Sequence, residues 1–228
     1  MAKVLRDLGA PVAASAVAHL DPDLDPHARK RKPGWLPMFG QANAAEAHLR
    51  TAGVGAGDLF LFFGWFRQTE LVAGKLRYVA SAPDLHVLFG WLQVGAHHPH
   101  PGWRVLPAWA HDHPHCKPTA YGGKDSVYLA TRDLRLPGLR ARIAGGGVFK
   151  RFSPGLRLTA ADARLRSQWV LPRWFRPSGV PRLTYHANPA RWTKGTEHVR
   201  LRVVGRGQEF VLQRAPAAGV AQWVEALI

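Results

Sequence analysis

Histidine and cysteine side chains, which can bind metal ions, are concentrated in the middle of the chain. One stretch of twenty residues contains His97, His98, His100, His111, His113, His115 and Cys116. Imidazole and thiolate groups are common zinc ligands. His111, His113 and His115 alternate with other residues, so their side chains would share one face of an extended segment. Asp21 and Asp23, in an Asp-Pro repeat, are further candidate ligands. The spacing fits no common closed zinc site, so ordinary loop histidines are the alternative. We predict no cofactor, with a divalent metal ion as the alternative.

A second candidate site comes from the tripeptide Phe-Gly-Trp, which occurs at residues 63–65 and again at 89–91. Both copies fall in predicted strands, where Phe and Trp would project from one face and Gly would leave the other face bare. If the strands pair, the four rings could form an aromatic wall on which a nucleobase stacks. Trp65 and Trp91 are then candidates for stacking, and Gln93 is a candidate for hydrogen bonding to a base. The alternative is that these aromatic residues belong to the core.

A third group of candidate residues lies near the end of the chain. His186 could act as a general acid or base, with Glu209 as its carboxylate partner and Arg191 as a clamp for a phosphate or an oxyanion. Trp192 supplies a stacking surface, and Gln208 supplies an amide for base recognition. The alternative is a set of scattered surface residues around a structural tryptophan.

The chain carries a large positive charge. It has 31 Lys and Arg residues against 15 Asp and Glu residues, which gives a net charge of +16. An excess of this size favours a polyanionic partner, either nucleic acid or an anionic membrane surface. The candidate phosphate contacts are Lys30, Arg31, Arg67, Arg200 and Arg202. A basic composition without a specific partner is the alternative.

Several classes of protein lose support from the sequence. No segment approaches the roughly 20 apolar residues that span a bilayer. Asp7, Gly9 and Pro11 interrupt the apolar stretch that a signal peptide would need. The single cysteine favours a reducing compartment, so we expect a cytoplasmic protein that does not bind membranes. The chain has no Gly-x-Ser-x-Gly elbow, Walker loop or dinucleotide fingerprint.

The hydrophobic pattern predicts that these candidates are positioned by one α+β domain. The predicted elements are a short N-terminal helix, a helix over residues 42–52, strands over residues 59–66, 75–80, 86–94 and 126–131, and an amphipathic C-terminal helix. Residues 198–203 and 208–213 are predicted to form a hairpin with a three-residue loop. The continuous apolar run at residues 59–66 predicts burial on both faces. We divide the chain into a short helical segment, residues 1–20, and a domain, residues 21–228.

Several short motifs follow one another in a distinctive order. They are Gly34-Trp35-x-Pro37-x-Phe39-Gly40-Gln41, Gly57-Asp58-Leu59-Phe60-Leu61-Phe62-Phe63-Gly64, Gly90-Trp91-Leu92-Gln93-Val94-Gly95, Tyr185-His186, Arg191-Trp192 and Arg206-Gly207-Gln208-Glu209-Phe210-Val211. Together they resemble the third nucleotide-modification-associated domain family, from about Asp21 to the C terminus. Members are associated with bacterial and phage systems that handle modified DNA bases, so the resemblance implies DNA or modified nucleotides as partners. Members usually begin with a further strand and a Ser-Arg-Lys-Gly-x-Asp-like motif, and the resemblance implies that this segment is missing here.

The Gly-Asp before the strand at residue 59 and the later Gly-Trp-Leu-Gln-Val-Gly are also similar to the start of PUA-like domains, which include readers of modified bases. This similarity implies a central mixed or antiparallel sheet, curved into a pseudo-barrel, with peripheral helices. A likeness at the level of fold is weak support for function.

Three functions remain open from the sequence. The first is a nucleic-acid-associated domain that recognises a modified or flipped base. The second is an enzyme that acts on a nucleotide or modified base through His186, Glu209 and Arg191. The third is a basic structural or interaction protein in which the aromatic residues serve packing alone.

Overall fold

Strands predominate over helices in this chain, as its apolar pattern predicts. The computed structural model describes residues 2–10, 12–13, 15–117, 120–175, 184–186, 188–203, 209–212 and 219–228. Within these residues the helices and strands are α1 (Ala2–Asp7), β1 (Met38–Ala42), α2 (Asn43–Thr51), β2 (Leu59–Phe66), β3 (Thr69–Val72), β4 (Lys75–Tyr78), β5 (Leu85–Pro99), β6 (Asp125–Ala130), β7 (Gly146–Val148), β8 (Gln168–Pro172), β9 (Trp192–Lys194), β10 (His198–Arg202), β11 (Glu209–Leu212) and α3 (Val220–Leu227). The protein is therefore an α+β domain, as predicted.

The central feature is a six-stranded sheet with the order β1-β6-β5-β2-β11, in which β7 also pairs with β5. All of its neighbouring strands are antiparallel. A second sheet has the order β8-β10-β9, and β3 and β4 form a separate hairpin. The antiparallel alternative for the central sheet is confirmed.

The central sheet is curved but not closed. β1 and β11 are its two edges, and no backbone pairing joins them within the described residues. They approach at one end, where the side-chain amide of Gln41 on β1 donates to Glu209 Oε1 on β11 across 3.1 Å. The described strands therefore form an open, curved sheet rather than the expected pseudo-barrel.

Two hydrophobic clusters cover the two faces of the sheet. On one face, Leu61 and Phe210 pack with Trp169 of the second sheet and Val224 of α3. On the other, concave face, a second cluster contains Phe39, Leu49, Phe60, Phe62, Tyr128 and Val211. The first five residues of β2 are buried, because alternate side chains enter opposite clusters. This confirms the two-sided burial that its apolar run predicts.

The predicted hairpin between residues 198–203 and 208–213 is wrong. β10 pairs with β8 and β9, whereas β11 pairs with β2 in the other sheet. The burial patterns show the reason. β10 alternates between exposed and buried residues, but all four residues of β11 are buried. A strand covered on both faces belongs in the central sheet rather than beside a half-exposed strand.

No helix within the described ranges combines the length and apolar character that crossing a bilayer requires. The C-terminal helix α3 is amphipathic, as predicted, and buries Val220, Val224 and Leu227.

Candidate functional site

A cleft of about 1350 Å³ opens between α2, β2, β5 and the end of β10. Its lining residues are Ala44, His48, Phe63, His86, Leu165, Arg166, Ser167, Tyr185, Asn188, Ala190, Arg191, Arg202 and Val203. We call it the arginine cleft. Pockets for small ligands usually measure about 300–1,000 Å³, so the arginine cleft has room for a nucleotide and part of its neighbours.

Three cations give the arginine cleft its charge. Among the described residues, no carboxylate lies within ion-pair distance of Arg166, Arg191 or Arg202. By contrast, the guanidinium of Arg200, two residues before Arg202 on β10, forms two 2.9 Å hydrogen bonds with Asp162. The three cleft arginines are therefore available to an anion.

Flat side chains lie beside these cations. The rings of His48 and Tyr185 stack with centroids 4.0 Å apart and planes 21° apart. Trp65 is 63% exposed, and the Arg166 guanidinium lies 4.1 Å from the centre of its ring. Aromatic rings and guanidinium planes are the surfaces on which unpaired bases stack.

Two histidines that feel the charge of these arginines, His86 and His186, are electrically neutral near pH 7. Burial, followed by the charge of Arg166, lowers the pKa of His86 to about 4. Burial and then Arg191 lower the pKa of His186 to about 4. Trp169 Nε1 donates to His86 Nδ1 across 3.0 Å, so the neutral His86 ring carries its proton on Nε2. That N–H is a hydrogen-bond donor at the cleft wall.

Local sequence explains how Tyr185 and Arg191 reach the arginine cleft. A short 3₁₀ turn, Thr184–His186, lies against β11. Trp192 Nε1 donates to the carbonyl oxygen of His186 across 2.8 Å, which anchors this turn. A second turn, Pro189–Arg191, begins after Asn188, whose side chain accepts from the Ala190 N–H. Proline at the first position favours this turn.

The predicted acid/base pair of His186 and Glu209 does not form. Glu209 pairs with Phe62 across the strands, so its side chain lies on the concave face, where it accepts from Gln41 and, after burial, contributes to the raised pKa of Tyr185. The His186 ring instead packs 5.8 Å from Trp169, in the cluster on the other face. Alternation along β11 therefore separates the two groups. Arg191 alone of the predicted catalytic residues lines the cleft.

The expected aromatic wall is also absent from the described residues. β2 and β5 pair, but the register shifts beside Phe63, where Phe62 faces Gly90 and Phe63 faces Leu88. The bulge places Phe89 against the concave-face cluster, whereas Trp91 belongs to the cluster on the other face. Trp91 is 6% exposed, and its indole donates to the Ala144 carbonyl. Of the four rings, Trp65 is the exposed one beside the arginine cleft.

Gln93 and Trp192, two other predicted recognition residues, make internal contacts. The Gln93 amide donates to the carbonyls of Gly57 and Arg135, and its oxygen accepts from Thr131 and the Arg135 N–H. All its hydrogen-bonding capacity is thus directed to the protein. Trp192 packs at the edge of the cluster that contains Trp169. Gln208 lies outside the described residues.

The predicted phosphate contacts are dispersed. Lys30 is exposed on a loop. Arg31 forms a buried ion pair with Asp23 and stacks on Trp35, and Arg67 donates to the carbonyls of Val79 and Ala80. Arg200 is paired with Asp162, as described above. Arg202 is the member of this set that lines the arginine cleft.

A second cluster of polar side chains lies beside the middle of β1 and the first residue of β6. We call it the histidine cluster, and its members are His19, Asp21, His100, His113, His115 and Asp125. Nitrogen and oxygen atoms of His19, Asp21 and His115 all lie within 4.8 Å of one another. His113 contacts the other oxygen of Asp21. Asp23 is paired with Arg31 instead, and His111 is exposed and outside this group. The sequence pattern singles out four members, Asp21, His100, His113 and His115, but not His19 or Asp125.

Sequence reasoning also missed His48, His86, Arg166 and Tyr185 in the arginine cleft. Tyr185 belongs to the motif Tyr185-His186, and His86 lies shortly before the motif at residues 90–95. Only the fold shows that both residues line the same cleft. Arg166 sits in a loop of ordinary composition, and no local signal distinguishes it from other arginines of the chain.

Comparison with known protein families identifies the family of this chain. A family model described as Nucleotide modification associated domain 3 matches residues 1–213. The chain belongs to this family. No curated protein and no solved structure matches it.

Both candidate sites fall inside the matched part of this Nucleotide modification associated domain 3 protein. The lining of the arginine cleft runs from Ala44 to Val203, and the histidine cluster from His19 to Asp125. The match also begins before Asp21, the residue at which the sequence resemblance starts. Helix α3 follows the matched segment.

Proposed function

We propose that the protein binds nucleic acid and holds a modified or flipped base in the arginine cleft, in keeping with a family associated with nucleotide modification. The observation that carries this proposal is the set of three arginines, free of carboxylate partners among the described residues, around one cleft of about 1350 Å³. The same cleft is lined by the stacked rings of His48 and Tyr185, so positive charge and stacking surfaces face one space.

The arginines account for binding to the sugar-phosphate backbone. Arg166 and Arg191 are partly buried and Arg202 is exposed, so they extend from the interior of the cleft to its rim. Guanidinium groups bind phosphate oxygens through two parallel hydrogen bonds. A net charge of +16 adds attraction over a longer range.

The flat side chains account for recognition of a base. An extruded base can stack on the His48–Tyr185 pair or on Trp65, each at about 1–3 kcal/mol. The His86 Nε2–H and the polar group of Ser167 can bond to the edge of that base. Because His86 stays neutral, it offers a donor without adding a charge, which suits a base better than a phosphate.

The double variant Arg191→Gln/Arg202→Gln tests the proposal. We expect its affinity for a short single-stranded DNA to fall roughly 100-fold or more, since each of the two lost charge-assisted interactions contributes about 1.5–3 kcal/mol. The control Lys3→Gln/Lys150→Gln removes the same two charges outside the cleft and should change affinity less than threefold. Fluorescence anisotropy measures both. Equal losses in the two variants would refute a cleft-specific interaction.

A further inference from the structure

The Asp21 carboxylate is surrounded by three imidazole rings. His115 Nε2 lies 3.2 Å and His19 Nε2 3.8 Å from its Oδ2 atom, and His113 Nε2 lies 3.4 Å from Oδ1. The backbone N–H of Gly40 also donates to Oδ1 across 2.8 Å.

Hydrogen bonds within the protein do not satisfy this cluster. His113 Nε2, His115 Nδ1 and both carboxylate oxygens of Asp125 are buried and have no partner in hydrogen-bonding geometry among the described residues. The side chains of these three residues are at most 4% exposed. Leaving several buried polar atoms unsatisfied costs free energy.

The shortest separation in the cluster is close to that between two ligands of a transition-metal ion, and a second, at 3.8 Å, is longer. Two ligand atoms about 2.0–2.1 Å from a zinc ion, at a tetrahedral angle, lie about 3.3 Å apart. The contacts of His115 and His19 with Asp21 Oδ2 measure 3.2 and 3.8 Å. Two imidazole nitrogens and one carboxylate oxygen suit zinc or ferrous iron rather than magnesium or calcium, which prefer oxygen ligands.

The surroundings supply the second layer of contacts that metal ligands require. His115 Nδ1, on the opposite side of the ring from Nε2, faces Asp125 Oδ2 at 3.8 Å. A carboxylate behind a histidine ligand is a common arrangement that orients the ring and increases its basicity. His113 restrains the second oxygen of Asp21. His19 is half exposed, so solvent can reach the metal position.

Gly40 makes room for this arrangement. A Cβ atom at residue 40 would lie 2.2 Å from the His115 ring, so the ring packs directly on the backbone of β1. The same residue donates its N–H to Asp21, which fixes the carboxylate and the imidazole relative to each other.

We propose that His19, Asp21 and His115 bind one divalent transition-metal ion of the zinc type, with His113 and Asp125 orienting the ligands. This site is independent of nucleic-acid binding, and its test uses no nucleic acid.

The test is a calorimetric titration of Zn²⁺ into the full chain after removal of metal by a chelator. We expect one tight site per chain. Asp21→Asn should weaken it at least 100-fold, and Asp125→Asn roughly 10- to 100-fold, as for other residues that support metal ligands. The control His27→Asn removes an exposed imidazole from the neighbouring loop and should bind like the unaltered protein.

A second variant separates metal binding from folding. His19 is half exposed, so His19→Asn should keep the native circular dichroism spectrum while weakening Zn²⁺ binding at least tenfold. Cobalt provides an independent signal, because a Co²⁺ ion bound by this set should give visible absorption bands that His19→Asn reduces. The absence of a tight Zn²⁺ site in the unaltered chain, or equal affinity in folded His19→Asn, would overturn the proposal.

Discussion

At the scale of single residues, the arginine cleft combines fixed positive charge with a histidine that stays neutral, His86, and a second neutral histidine, His186, lies near Arg191. Arg166 and Arg191 each add to the effect of burial and lower the pKa of a neighbouring imidazole. The sequence shows which residue types are present, but the protonation of His86 and His186 follows from burial and neighbours that only the fold provides.

The depressed pKa of His186 predicts acid sensitivity of the fold. The folded-state pKa of about 4 lies below the ordinary value of 6.5, so the unfolded chain binds a proton first as pH falls. The contribution of neutral His186 to the free energy of unfolding is present in full above pH 6.5 and is lost progressively as the pH falls toward 4. At pH 5 the loss from this group is roughly 1–2 kcal/mol.

Urea denaturation at pH 8 and pH 5 measures this effect. The variant His186→Phe should lose less stability between the two pH values than the unaltered protein. The exposed-site control His198→Asn should behave like the unaltered protein. An identical pH dependence in His186→Phe would contradict the neutral, buried assignment.

The close approach of Gly40 to His115 gives a second prediction at this scale. Gly40→Ala should destabilise the protein by about 1–3 kcal/mol, the usual cost of overpacking, because the new methyl group collides with the His115 ring. Gly55→Ala is the control, since no atom lies within 4 Å of the added carbon there. Thermal unfolding compares the two, and similar melting temperatures would argue against the packing described for β1.

At the scale of elements, β5 shows how a polar residue in a strand can be structural. Gln93 joins β5 to the segments around Gly57 and Arg135 through four hydrogen bonds. The position of Gln93 directly after Gly-Trp-Leu in the sequence favours a role in base recognition. In the structure, both N–H groups and the oxygen of its amide are already hydrogen-bonded within the protein.

Gln93→Leu separates these two roles. We expect it to reduce the free energy of unfolding by about 2–4 kcal/mol, since buried backbone groups lose their partners. The affinity of the remaining folded protein for DNA should stay within a factor of two. Urea unfolding and fluorescence anisotropy report the two quantities, and a stable variant with weakened DNA binding would restore the recognition role.

Elements with a strong local pattern can be predicted from the sequence. The continuous apolar run at Leu59–Phe66 predicts β2 with its observed ends, and the helix predicted over 42–52 is α2, Asn43–Thr51. The pairing of β11 with β2 cannot be predicted in this way, because proximity in the sequence favours a hairpin. The bulge beside Phe63 carries no distinct local signal, yet it decides which face Phe89 occupies.

At the scale of the whole molecule, the central sheet and the second sheet, β8-β10-β9, together create the arginine cleft. Its wall combines α2, β2, β5, β10 and two 3₁₀ turns, which come from distant parts of the chain. For this reason, Arg191 and Arg202 could be selected from the sequence while Arg166 and Tyr185 could not. The net charge indicates the kind of partner, but only the fold separates paired arginines from available ones.

The salt dependence of DNA binding measures directly whether the three cleft arginines contact phosphates. Removing one arginine–phosphate interaction should reduce the slope of log K against log salt concentration by roughly 0.7 for single-stranded DNA. We therefore expect the triple variant Arg166→Gln/Arg191→Gln/Arg202→Gln to have a slope shallower by about 2 than that of the unaltered protein. A slope that is unchanged in this folded triple variant would contradict binding through the arginine cleft.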